Sequence, residues 1–301
     1  ALKRSIRQIS ELTGFSSATV SNALNNKKGV NRETAEKILE VARQCGYLSE
    51  GGNVHSIRFV IYKDSGQVVS DTPFFSALME GVELESRLGD FETVICNLNR
   101  SAPDYEERLQ EILTDPTSGI LLLATELSES EAARFKDALA PVVVLDNWLE
   151  QTRFNSVLIS NTDSTCAATE YLIGHGHREI GYLSSEITIK NFFYRQEGYH
   201  RALKAHGLEV PEGGIITLPP TMDGARTAMN QMLSEGLKLP GALVADNDII
   251  ALGAMKAMQD HGLKIPEDVS IIGFDDLPFC SITTPGLTTI RVFKQEMGRT
   301  A

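Results

Sequence analysis

The sequence reads as an α/β chain in two parts, a small all-α head followed by a body of two lobes built on parallel sheets. Three observations predict this. Over the first 48 residues apolar positions recur at helical spacing, with capping residues between them and no alternating strand pattern. From residue 57 onward, short apolar runs alternate with longer amphipathic stretches, the pattern of parallel strands covered by helices. Charge divides at the same place. Residues 1–48 hold eight Lys/Arg and four Glu, net +4, in a chain of net charge −12, which leaves −16 on residues 49–301.

In the head, Ser5 is placed to cap a first helix with Gln8 as its reciprocal partner, and Ile6, Ile9 and Leu12 share one face of that helix. Gly14 falls where the chain must turn sharply. Ser16 is placed to cap a second helix that sends Val20, Ala23 and Leu24 inward and shows Ser17, Ala18, Thr19, Ser21 and Asn22 on its other face. A third helix starts near Asn31 and repeats Ala35, Ile38, Leu39 and Ala42. A helix with small polar residues at its N-terminal end fits a major groove. A three-helix interaction module that never meets DNA would leave the basic head on an acidic body without a reason.

Residues 5–47, with "I-x-x-I-S-x-L-x-G-F-S-x-A-T-V-S-x-A-L-N", a later "V-N-x-E-T" and "G-Y", resemble the helix-turn-helix headpiece of the LacI/GalR family of bacterial repressors. The resemblance implies that Ser17, Ala18 and Asn22 read bases and that Thr19 and Ser21 lie nearer the phosphates; Ser5, Ser16, Asn25 and Lys28 complete the expected DNA-facing set. The family often carries Arg where this chain has Asn22. Asn pairs best with adenine and Arg with guanine.

The body, at about 240 residues, suits two lobes. Strands are expected at Ile57–Tyr62, Thr93–Cys96, Gly119–Leu123, Val142–Leu145, Val157–Ile159, Ile180–Leu183, Ile215–Leu218, Ala242–Val244 and Val269–Phe274. Helices are expected at Phe74–Leu88, Asp104–Leu113, Ser164–Ile173, Gln196–His206, Asp223–Ser234 and Ile249–His261. In open α/β sheets, ligands sit at the carboxyl ends of the strands. That rule selects Asp146, Asn147 and Trp148, then Asn247 and Asp248, then Asp275 and Asp276, and Pro73, Phe74 and Phe75 after the first strand.

The body too resembles the LacI/GalR regulatory core, itself similar to periplasmic sugar-binding proteins of type I. The marks are "D-T-P-F-F" (71–75), "G-H-R-E-I-G-Y-L" (176–183), "R-Q-E-G-Y-x-x-A-L" (195–203), "A-D-N-D-I-I-A-L-G-A-M-K-A" (245–257), "I-P-E-D-V-S-I-I-G-F-D-D" (265–276) and "P-G-L-T-T-I" (285–290). This implies two Rossmann-like lobes facing across a cleft, the first about 57–160 plus 287–301 and the second about 161–286. It also implies Asp146, Arg195, Asn247 and Asp275 as polar contacts to a small effector, with Phe74, Phe75, Trp148 and Phe293 as aromatic surfaces. Carboxylates, an amide, a guanidinium and flat rings suit a polyhydroxylated sugar. An Arg195–Asp275 salt bridge closing a turn, and a Trp148 that only packs, are the plainer alternatives.

Other signals carry less. His175 and His177 flank Gly176 with no third ligand nearby, so a turn is expected and no metal. Adjacent Asp275 and Asp276 point to different sides and cannot flank one glycosidic bond. No GxSxG, HExxH or Walker A pattern occurs, so neither catalysis nor a cofactor is expected. Cys45, Cys96, Cys166 and Cys280 lack CxxC spacing and read as reduced, buried thiols. No stretch is apolar enough to span a bilayer, and no signal peptide opens the chain.

Two departures from the family stand out. The link 49–56, Ser-Glu-Gly-Gly-Asn-Val-His-Ser, is short and Gly-rich and lacks the usual "P-N-x-x-A-x-x-L" hinge, so no hinge helix is expected there. The chain also stops at Ala301, just inside a helix starting near Lys294, where the family continues; with no Met at position 1, this reads as a truncation. The expectation is a cytoplasmic, homodimeric repressor of carbohydrate-metabolism genes that binds palindromic double-stranded operator DNA and answers a sugar-like effector. A sugar-binding protein of a transport system and a sugar-active enzyme are the weaker alternatives.

Overall fold

A computed structural model describes residues 6–24, 29–44, 54–69 and 73–301. In the head, α1 (Ile6–Thr13), α2 (Ser17–Leu24) and α3 (Arg32–Gln44) close on Ile9, Val20, Ala23, Leu24, Ile38, Leu39 and Ala42. The Ser16 hydroxyl accepts from the Thr19 N–H at 3.1 Å and the Asn31 side chain accepts from the Thr34 N–H at 2.8 Å, satisfying donors that a helix start leaves free. Gly14 turns the chain at φ 74°, a left-handed conformation in which a Cβ is strained. Leu12, expected on the buried face, is instead 59 % exposed. The Thr13 hydroxyl bonds back to the Ile9 carbonyl, the helix ends, and Phe15 packs on the head core instead. Ser5, Asn25, Lys28 and linker residues 49–53 lie outside the described residues.

Each lobe is one parallel five-stranded sheet covered by helices. The first sheet has the order β2-β1-β3-β4-β5, from β1 (Ser56–Lys63), β2 (Glu92–Asn99), β3 (Ser118–Leu123), β4 (Val142–Leu145) and β5 (Asn155–Val157). The second has the order β10-β9-β8-β6-β7, from β6 (Ile180–Ser185), β7 (Ile215–Leu218), β8 (Ala242–Ala245), β9 (Ser270–Asp275) and β10 (Thr288–Arg291). Central strands such as β3, Ser-Gly-Ile-Leu-Leu-Leu, are buried throughout, which explains their unbroken apolar runs. The helices are α4 (Pro73–Leu88), α5 (Tyr105–Thr114), α6 (Glu129–Arg134), α7 (Asn161–Gly174), α8 (Lys190–Ala205), α9 (Met222–Ser234), α10 (Asp248–Asp260) and α11 (Lys294–Thr300).

Several boundaries move. Ser56, expected in the linker, opens β1, and β5 ends at Val157 where a strand running to Ile159 was expected. Short α6 and β10 had no sequence signal strong enough to separate them from loops. The α8 helix starts at Lys190, six residues before the expected Gln196, so Phe192 and Arg195 are helical and buried. The segment 287–301, expected with the first lobe, divides. β10 pairs with β9 in the second sheet, and only α11 returns to pack on α4. That crossing is close: a Cβ at Gly81 would land on the Gln295 carbonyl, and one at Gly298 on the Leu78 carbonyl.

Candidate functional site: a cavity between the lobes and an exposed head helix

The carboxyl ends of β3, β4, β8 and β9 supply the polar wall of a cavity between the lobes. Its first-lobe side carries Val68, Phe74, Phe75, Thr125 and Asp146; Asn191, Phe192, Arg195, Asn247 and Asp275 come from the second lobe, with Ile189, Pro220, Ile249 and Leu277 around them. The Val68 loop is held by Glu126, whose carboxylate accepts the backbone N–H groups of Asp64, Ser65, Gly66, Val68 and Val69 at 2.8–3.1 Å. Burial raises the Glu126 pKa, but these N–H bonds outweigh it and hold the carboxyl below its ordinary range.

Asp146 follows β4 with φ 64°, and Asp275 ends β9 with φ 121°. Left-handed backbone at two non-glycine residues is costly, and it aims both carboxylates at one cavity. Asp146 accepts from the Thr125 hydroxyl at 2.7 Å and from the Asn191 amide at 2.9 Å, a bond that joins the two lobes. Burial pushes the Asp146 carboxyl up, against the pull of Thr125, Arg195 and Asn191. Asp275 is pushed up to about 7 by burial, with Arg195 opposing and Asp248 and Asp146 adding to the rise.

Arg195 is 3 % exposed. Its Nε donates to Asn161 at 2.8 Å and its Nη1 to the Asp246 carbonyl at 2.6 Å, while Phe274 covers its face at 3.7 Å. Its Nη2 stands 3.6 Å from Asp275 Oδ1, an ion-pair distance beyond hydrogen-bond reach. The turn-closing alternative thus holds in part: Arg195 braces the second lobe and also borders the cavity. Asn247 spends its side-chain oxygen capping α10, accepting from the Ile250 N–H at 3.0 Å, and its amide nitrogen bonds no group among the described residues.

Six of the eight expected effector contacts therefore share one cavity: Phe74, Phe75, Asp146, Arg195, Asn247 and Asp275. Trp148 and Phe293 do not line it and are 52 % and 69 % exposed. Trp148 borders an outer groove with Tyr194, and its carbonyl accepts from Lys190. Thr125, Asn191 and Phe192 were missed. Thr125 follows β3, within reach of the strand-end rule; Asn191 and Phe192 lie ahead of the helix that the sequence predicts from Gln196 and carry no signal there. Asn147 and Asp248 are structural: Asn147 donates to the Ala124 and Leu127 carbonyls, and Asp248 accepts from the Leu277 N–H and the Thr289 hydroxyl.

On the head, Ser17 and Ala18 are exposed at the start of α2, and Ser21 and Asn22 are half-buried one turn on. Thr19 is half-buried, with its hydroxyl 2.8 Å from that of Ser16. Among the described residues no group of His, Cys, Asp and Glu could hold a metal, and no helix is long and apolar enough to cross a membrane. Cys96, Cys166 and Cys280 are free thiols, Cys96 half-buried and the other two buried.

A helix-turn-helix head on a two-lobed binding core defines the class: a DNA-binding regulator with a small-molecule cavity. Residues 5–50 match the model of bacterial regulatory proteins of the lacI family, and residues 169–301 match a periplasmic binding protein-like domain. The chain is 31 % identical over 288 residues to the HTH-type transcriptional regulator GalS of Salmonella typhimurium, covering 95 % of this chain and 84 % of that protein. It is 29 % identical over 305 residues to the ribose operon repressor of Escherichia coli, covering 98 % and 90 %. Among solved structures it is similar to the transcriptional regulator CelR–cellobiose complex, with TM-score 0.71, 24 % identity and coverage of 99 % and 90 %. The chain belongs to the lacI family of bacterial regulatory proteins. It is a DNA-binding transcriptional regulator and not an enzyme.

Proposed function

We propose that this regulator represses carbohydrate-metabolism genes in the cytoplasm and that a sugar-like effector bound between its lobes controls it. The observation that carries the reading is the cavity itself, where two carboxylates, a guanidinium and an amide meet Phe74, Phe75 and Phe192. Hydroxyls are held by charge-assisted hydrogen bonds, and sugar C–H faces pack on rings. The ribose operon repressor and the CelR–cellobiose complex, both named for sugars, support the same class of ligand.

In this reading residues 1–48 are the DNA-binding unit and residues 57–301 the effector and dimer core. Ser17, Ala18 and Asn22 read bases, with Thr19 and Ser21 near phosphates and Ser5, Ser16, Asn25 and Lys28 flanking them. The dimer uses the apolar surface of α4, β2 and the turn between them, where Leu84, Leu88, Phe91, Val94 and Ile95 are 36–70 % exposed. A two-fold dimer requires a palindromic operator.

Site selection from random duplex, followed by titration in the presence of sugars, tests the reading. The expected result is one palindromic motif whose binding a sugar changes. Asn22→Ala should relax one position per half-site, by about 1–3 kcal/mol of discrimination. An unchanged motif would remove Asn22 from the base readers, and selection of no motif would overturn the proposal.

A further inference from the structure

The charges around the cavity limit what its ligand can be. Asp275 is more than nine-tenths buried, and its Oδ1 has no hydrogen-bond partner. Such an atom is costly unless a donor reaches it. Most donors of the nearby cations are already engaged by neutral oxygens. Arg195 spends Nε and Nη1 on Asn161 and on the Asp246 carbonyl. Lys294, whose charge also acts on Asp275, donates its ammonium to the carbonyls of Asp275, Asp276 and Val292. Four carboxylates, Asp146, Asp246, Asp248 and Asp275, are buried at or just behind the wall. Arg195 is the only cation among the described residues that lines the cavity.

We infer that the effector is an uncharged, hydroxyl-donating sugar or glycoside, and that the site rejects its phosphorylated and carboxylated counterparts. This rests on the reading of the cavity as the effector site. A hydroxyl gives Asp275 Oδ1 the donor it lacks, and Asp146 can accept from a second. A phosphate or uronate in the same place faces two carboxylates in a low-dielectric wall, with the Arg195 Nη2 as the one unspent cationic group among the described residues that line it. Burial holds Asp275 near 7, as a carboxyl in a negative, poorly solvated setting should be.

The test titrates the full chain by calorimetry and thermal shift at pH 7.5 with matched sets: ribose and ribose 5-phosphate, glucose, glucose 6-phosphate and glucuronate, and cellobiose. A neutral member should bind at least about 30-fold more tightly than its anionic partner, a modest result for like charges a few ångströms apart. Asp275→Asn should shrink that ratio toward a few-fold, because it removes the charge and keeps the shape; a merely structural role would leave the ratio unchanged. An anionic sugar that binds as tightly as its neutral partner overturns the inference, as does a panel in which nothing binds at millimolar concentration. A neutral sugar bound equally by the parent, Asp275→Asn and Asp146→Asn chains instead overturns the cavity as effector site.

Discussion

At the scale of single residues, Asp275 makes the sharpest forecast. Its folded pKa of about 7 lies well above that of an unfolded aspartate. The native state therefore holds a proton that the unfolded state releases between about pH 4 and 7, and stability falls as pH rises through that window. Below the unfolded pKa the penalty is absent; above pH 7 it is complete, at most about 4 kcal/mol for a shift of this size. Asp275→Asn should remove it, so melting scans without effector should show the variant gaining on the parent from pH 4 to 7 and keeping its advantage above. A constant difference across that range would show that Asp275 is not buried as a carboxyl. Effector affinity should move the other way in the parent, strengthening from pH 6 to 8 as the accepting carboxylate ionises. The left-handed backbone at Asp146 and Asp275 belongs to this scale too, since strain at a strand end persists only where surrounding structure enforces it.

At the scale of elements, the early start of α8 matters most. Its first residue, Lys190, crosses to the other lobe, donating to the Trp148 carbonyl at 2.8 Å and to Glu129 at 3.2 Å, with Glu150 at 3.7 Å. Glu129 also accepts the Glu150 N–H, and these bonds hold its carboxyl below its ordinary range despite partial burial. This clasp joins the start of α8 to the start of α6 and the chain after β4, at the edge of the cavity. Lys190→Met should loosen the closed pair of lobes at a cost of about 1 kcal/mol, typical of the upper end for a partly exposed network. Effector affinity should fall about fivefold, an effect that high salt reproduces in the parent and not in the variant. Calorimetry at two salt concentrations checks this; equal affinities for the two chains would mean the clasp does not favour closure.

At the scale of the whole molecule, the proposed function depends on pairing. A single head offers few phosphate contacts, whereas two heads held at a fixed spacing double them and impose register. The paired charges Leu84→Glu and Ile95→Glu should give a folded monomer by sedimentation, because both side chains are about half exposed in one chain. Operator affinity should then fall by at least about two orders of magnitude, with roughly half the parent's slope of log affinity against log salt. A double variant that stays dimeric would move the interface elsewhere. The acidic body sharpens this dependence, since −16 on residues 49–301 repels DNA everywhere except at the basic head.

The sequence by itself determined the architecture. Periods of 2 and 3.6 depend on local geometry, so the alternation of β1, α4, β2, α5 and β3 was legible residue by residue. The head was legible because caps and a turn glycine act over three or four residues, as Ser16, Asn31 and Gly14 do. Asp146, Asn247 and Asp275 could be found because a parallel sheet presents its strand ends on one edge. Tertiary structure decided what depends on distant partners. Residues 190–195 are helical and bury Asn191, Phe192 and Arg195, and with that Asn191 and Phe192 enter the cavity. Trp148 and Phe293 stay exposed outside the cavity, a placement that no local pattern encodes. Likewise, whether Arg195 is free or spent, and whether Asp275 keeps a donor, follows from groups 34 to 80 residues away in sequence folding into van der Waals contact.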